Sequence, residues 1–156
     1  MSNISEAEFE RRLSASWPLL AEPAEAFEAC YLDSFDWRLY HAGLMLLAQR
    51  VGSGWRLQLA QIKSAELQLE ADNPEQPGLL DSLVHAELRE RLAPVLEMRC
   101  LLPQLWLGGR NRQMRLLDDE EKTLVRIELL EIKIRPSDGA GEGAGDGDWL
   151  ETAPIL

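Results

Sequence analysis

The chain has 156 residues, a hydrophobic fraction of 46% and a formal net charge of −11, enough for one domain with a real core. No apolar run approaches the ~20 residues of a membrane-spanning helix, and the N-terminus lacks the basic-then-apolar pattern of a secretory signal. The expectation is a soluble, cytoplasmic protein with no membrane partner.

The charge is unevenly spread. Residues 136–156 carry five acids and no base, and residues 1–28 carry six acids against Arg11 and Arg12. The stretch 29–135 holds 16 acids and 14 bases, so an internal basic site is compatible with the acidic total. No basic run or arginine stripe interleaved with aromatics occurs, which argues against nucleic acid. Cys30 and Cys100 stand in no CxxC and beside no histidine, so both read as small core residues rather than zinc ligands.

In chain order, "SEAEFERRL" (5–13) reads as a capped helix, with Ser5 as N-cap and Glu8 three residues on. "YLDSFDWRLYHAGL" (31–44) is too polar for a core strand and too apolar for a loose loop. Asp33 and Asp36 read as turn-holding residues there, with Tyr31 and Trp37 anchoring the turn. "AGLMLLAQR" and "GWRLQLAQ" around a glycine-containing turn predict a hairpin. In its second strand Trp55, Leu57 and Leu59 alternate with Arg56, Gln58 and Ala60. "SAELQLEAD" also alternates, with Leu67 and Leu69 on one side and Glu66, Gln68 and Glu70 on the other.

Residues 79–91 have helical spacing, through Leu80, Leu83, Val84 and Leu88, between Pro77-Gly78 and Pro94. Late in the chain, "DDEEK" reads as a turn between two long strands. The apolar phase of the second strand flips at Leu129-Leu130, as at a bulge or bend. "SDGAGEGAGDGD" (137–148) has linker composition. Followed only by "WLETAPIL", it suggests one module of a longer protein. The domain expectation is 1–135 for the body and 136–156 for a flexible linker or tail. Several antiparallel strands with one main helix predict an α+β fold, barrel-like in architecture.

Around residues 31–44 the pattern becomes more specific. Tyr31, Asp33, Asp36, Leu39, Gly43 and Leu46 fall on a Y-x-D-T-x-D-x-x-L-x-x-x-G-x-x-L-R-x-R signature, with Ser34 for threonine. In this the chain resembles the CYTH family of triphosphate tunnel enzymes, of the kind found N-terminal to a helical CHAD domain. "RLLDDEEKTLVRIEL" is similar to that family's late hairpin. The resemblance covers about residues 5–135. It implies an antiparallel β-tunnel of about eight strands whose lining arginines hold a polyphosphate or triphosphate ligand. Glutamates would hold Mg2+ or Mn2+, and a C-terminal CHAD-like domain is the implied partner.

Position by position, the resemblance implies Glu8 and Glu10, in an E-x-E-x-K strand with Arg12 for lysine, and Glu128 as metal ligands. The phosphate-binding candidates are Arg12, at the family's lysine position, Arg110 and Arg112, on the strand where the family keeps arginines, and Arg56, Arg99 and Arg126, which fall on predicted strands. "EFERR" therefore has two readings, metal strand or capped helix. Leu47, Gln49 and Ala60 stand where the family carries bases, and Arg50 is one residue out of phase. Losing several charge-assisted contacts of about 1.5–3 kcal/mol each would cripple tight triphosphate binding. The expectation is a degenerate binding module with weak or absent hydrolase activity; the alternative is an active metal-dependent triphosphatase. No Ser/His/Asp set, Cys/His pair or P-loop occurs, and no catalytic residue is assigned.

Overall fold

The computed structural model describes residues 5–136 and 150–151. The stretch 137–149, expected as a linker, and residues 152–156 lie outside the described residues.

The fold is α+β. Among the described residues eight antiparallel strands are hydrogen-bonded in the order β5-β4-β3-β2-β6-β7-β8, with β1 also paired to β6. They are β1 (Leu19–Ala21), β2 (Glu25–Asp33), β3 (Leu44–Val51), β4 (Gly54–Gln61), β5 (Leu67–Asn73), β6 (Leu102–Leu117), β7 (Thr123–Pro136) and β8 (Leu150–Glu151). Among the described residues three α-helices accompany them: α1 (Glu6–Ser14), the single-turn α2 (Arg38–His41) and α3 (Ala86–Leu96). The chain divides into two compact units. In the described residues, one comprises 5–26 and 110–131, and the other 27–109, 132–136 and 150–151.

In the first unit, the serine cap read from sequence is present: Ser5 accepts from the Glu8 backbone N–H. Acids sit in the first turn of α1 and arginines in the last, matching the helix dipole. The "EFERR" segment is therefore helical, and the metal-strand reading of Glu8 and Glu10 is corrected. β1 runs antiparallel to the end of β6, with Leu20 opposite Arg115. The "DDEEK" turn forms as read: the Asp118 carboxylate accepts from the backbone N–H groups of Glu120 and Lys122.

In the second unit, alternation along the strands sorts the residues into two faces. Cys30, Ala48, Leu57 and Ala71 lie directly opposite one another across β2–β5, as do Leu32, Leu46, Leu59 and Leu69. These two rows meet Leu83, Leu88, Leu92, Leu96, Leu101 and Trp106 in one core. The β3–β4 hairpin closes on Gly52-Ser53, with Gly52 at a φ of 60°, as a two-residue primed turn demands. A register shift past Leu59 sets Leu67 opposite Ala60. Leu67 is left exposed while Leu69 joins the core, so the expectation that the two share a side is corrected.

The helix expected over 79–91 forms later. Residues 80–82 make only a 3₁₀ turn, and α3 spans 86–96 with Pro94 inside it. The cause is Asn73, buried at the end of β5. Its amide donates to the Glu75 and Ser82 carbonyls and accepts from Val84 N–H, holding residues 82–84 out of helical geometry. His85 then caps the helix by accepting from Leu88 N–H. Leu88, Leu92 and Leu96, one helical face, are fully buried, whereas Val84 is exposed.

The 31–44 stretch is a strand-to-helix corner built on one carboxylate. Asp33, 5% exposed, accepts from the backbone N–H groups of Ser34 at 2.7 Å, Leu39 at 2.8 Å and Tyr40 at 2.9 Å. Ser34 Oγ accepts from Arg38 N–H, and the Gln104 amide donates to the Asp33 and Ser34 carbonyls. Gly43, at a φ of 74°, releases the chain into β3. Trp37 does not anchor this corner as expected. It is half exposed, at a φ of 56°, and meets Tyr40 edge-on.

Replacing Asp33 by Ala orphans three backbone donors in a buried place, and is expected to destabilise the fold by about 2–4 kcal/mol. Asp36→Ala, at the corner's surface, is expected to cost less. Urea denaturation of both variants checks the order; an equal or reversed loss refutes the corner's dependence on Asp33.

Candidate functional site

Opposite the core, the second face of β2–β5 is mostly polar. Two rows cross it: Tyr31, Leu47, Gln58 and Glu70, and Ala29, Gln49, Arg56 and Asp72. Gln58 donates to Glu70 at 2.7 Å and Arg56 to Asp72 at 3.1 Å, with Glu70 also within 3.8 Å of Arg56. Asp72, first, and then Glu70 raise the Arg56 pKa, holding the guanidinium charged. Leu47 and Gln49 share this face with Arg56. Two positions where the resemblance expects bases therefore stand beside an arginine, with neutral side chains.

Arg99 is not on a strand. It follows α3, where Glu97 takes a φ of 54° and Arg99 N–H bonds to the Leu96 carbonyl. Its guanidinium lies 3.5 Å from the Asp36 carboxylate and 4.9 Å over the Phe35 ring. Arg38 bridges Asp36 at 3.0 Å and Glu97 at 2.7 Å. The Ser34 hydroxyl, first, and Arg38 hold the Asp36 carboxyl below its usual range, so Asp36 ties the turn to a surface ion network.

The other candidates belong to the first unit. Arg12 pairs with Glu8 at 2.8 Å, and Arg11 pairs with the same carboxylate. Arg12, first, and Arg11 hold the Glu8 carboxyl below its usual range. Arg112 on β6 is held from three sides. It reaches Glu6 at 2.9 Å, Glu10 at 3.0 Å and the Glu22 carbonyl at 3.1 Å. Arg115 pairs with Glu22 at 3.3 Å. Arg110 and Arg126 are exposed on β6 and β7, and Glu128 accepts from the Asn111 amide.

This donor set does not fit a resident metal. Glu8 and Glu10 are spent on arginines and Glu128 on an amide. Among the described residues no group of three or more His, Cys, Asp or Glu side chains is arranged to hold a metal ion. Glu6, Glu22 and Glu97 were not singled out from sequence. Only Glu6 carried a signal, the i, i+4 spacing to Glu10 that puts both on one helix face. Among the described residues no helix is long and apolar enough to cross a membrane.

Compared with known proteins, the chain matches no family model, and no curated protein shows significant similarity to it.

The two cysteines differ sharply. Cys30 is buried in the core and its thiol is pushed up to about 12, chiefly by burial and then by the nearby Glu28 charge. Cys100 is exposed. At pH 8 a thiol reagent is expected to label Cys100 promptly, whereas Cys30 reacts only on unfolding. Counting modified thiols by mass with and without urea checks this; rapid double labelling of the folded protein refutes it.

Proposed function

We propose that the chain is a degenerate relative of the triphosphate tunnel (CYTH) family, a module that binds polyphosphate or triphosphate compounds weakly and hydrolyses them slowly or not at all. The observation that carries this reading is the row Ala29, Gln49, Arg56, Asp72. It sets one arginine on a strand face with neutral Gln49 and Leu47 beside it, where a competent site would add two bases. Eight antiparallel strands are also enough to close a narrow tunnel, which is part of the proposal.

Phosphate oxygens would accept, within the first unit, from Arg110, Arg112 and Arg126 with Arg12 as a further cation, and, within the second, from Arg56 and Arg99. Most of these already serve an internal carboxylate, so a ligand gains only the difference between two charge-assisted contacts. That difference is small beside the full value of such a bond, and weak binding follows. Mg2+ or Mn2+ enters as the ligand's own counter-ion, because Glu8, Glu10 and Glu128 are otherwise engaged. A helical CHAD-like domain remains the partner that this reading proposes.

Titration calorimetry with sodium tripolyphosphate at low ionic strength is expected to give a dissociation constant on the order of 0.1 mM or weaker. Arg56→Ala is expected to weaken it about threefold or more. Phosphate release with Mg2+ or Mn2+ is expected at background. Turnover near 1 per second, within the ordinary enzyme range, would establish the triphosphatase alternative. Absence of any binding heat would overturn the polyphosphate reading.

A further inference from the structure

Helix α1 buries no residue completely; Phe9 and Leu13 are only half-buried. Its apolar contacts alone are therefore a weak tether. The contact that fixes it is polar and converges on Arg112. Glu6 and Glu10, one turn apart, both reach Nη1 of that guanidinium, at 2.9 and 3.0 Å. Nη2 donates to Glu10 at 3.4 Å and Nε to the Glu22 carbonyl at 3.1 Å. Every nitrogen of the guanidinium thus faces an oxygen of this chain. Arg112 is only a quarter exposed, while Glu6 is about half exposed. The pair is open enough for salt and solute anions to compete.

A guanidinium held by two carboxylates has the charge and fork geometry that a terminal phosphate uses. We propose that α1 is a displaceable strap, an autoinhibitory contact in which Glu6 and Glu10 occupy the arginine that an external polyphosphate would engage. This rests on the polyphosphate reading above. In this proposal ligand and strap compete for Arg112: the phosphate takes the guanidinium, its charge repels Glu6 and Glu10, and α1, which has no fully buried residue, comes away from β6. Removing the two carboxylate charges raises ligand affinity by the reciprocal linkage.

The test compares the native protein with the Glu6→Gln/Glu10→Gln double variant, both titrated with tripolyphosphate by calorimetry. Amide hydrogen exchange of residues 9–14 is followed in parallel. The variant is expected to bind at least fivefold more tightly. In the native protein, tripolyphosphate is expected to speed exchange in α1 without affecting the β3–β4 hairpin. Native binding with equal affinity in the variant and unchanged α1 protection overturns the strap and leaves the polyphosphate reading standing. Binding by the variant alone supports the strap in its strongest form, and absence of binding to both proteins overturns both readings. Should the variant misfold, the native protein still decides. Raising NaCl to 1 M is expected to increase α1 exchange about tenfold, and unchanged exchange overturns the ionic tether.

Discussion

The register of β2 through β5 is the constraint from which the rest follows. Once Cys30, Ala48, Leu57 and Ala71 stand opposite one another, and Leu32, Leu46, Leu59 and Leu69 likewise, one face must be covered by α3. The other face must then display whatever lies between. A slip of one residue would send Arg56 and Gln58 into the leucine core. Buried Asp33 guards that register at the β2–β3 connection. By accepting from Ser34, Leu39 and Tyr40 it fixes the number of residues between the two strands. Leu39, wholly buried, then plugs the same core from the corner itself.

What was readable in the sequence tracks how local its cause is. The β3–β4 hairpin was plain because Trp55, Leu57 and Leu59 alternate and Gly52 supplies the turn. The N-terminal helix was plain from Ser5 and Glu8. The start of α3 was not, because the spacing of Leu80, Leu83, Val84 and Leu88 fits a helix equally well. What unmakes that helix is the side chain of Asn73, on another element. Leu67 departs from the alternation for a similar reason: the pattern fails at a register shift that only the partner strand reveals. Arg99 lies three residues before its strand begins at Leu102, a boundary set by the turn that ends α3.

The site was less legible than the fold, and the reason is electrostatic. Arginines can be located on strands by parity, but their partners cannot. Arg112 meets Glu6 across 106 residues of sequence, and Arg38 meets Glu97 across 59. A chain of net charge −11 offers each cation more than one carboxylate. Most of the candidate arginines already face an anion of the chain itself. The contrast between Arg56 and Arg112 is instructive. Arg56 is paired along the sheet with Asp72, its direct cross-strand neighbour, so the pair is part of the strand register. Arg112 is paired off the sheet, with a helix.

That difference decides which contact is able to yield. Separating Arg56 from Asp72 requires only side-chain rotation, since both strands stay hydrogen-bonded. Separating Arg112 from Glu6 and Glu10 also begins with side-chain rotation, but it removes polar ties of a helix that has no fully buried side chain and no strand bonds to hold it. Its internal stability comes from its own cap and from the pairs of Glu8 with Arg11 and Arg12. These travel with the helix and do not depend on docking. An isolated helix of nine residues is nonetheless marginal in water. Release from Arg112 and partial unfolding of α1 are therefore coupled, and the entropy regained on unfolding offsets part of the lost ion pairing. A tether of this composition holds at low salt and gives way to a competing polyanion, while the leucine core, blind to ionic strength, holds the β2–β5 register unchanged.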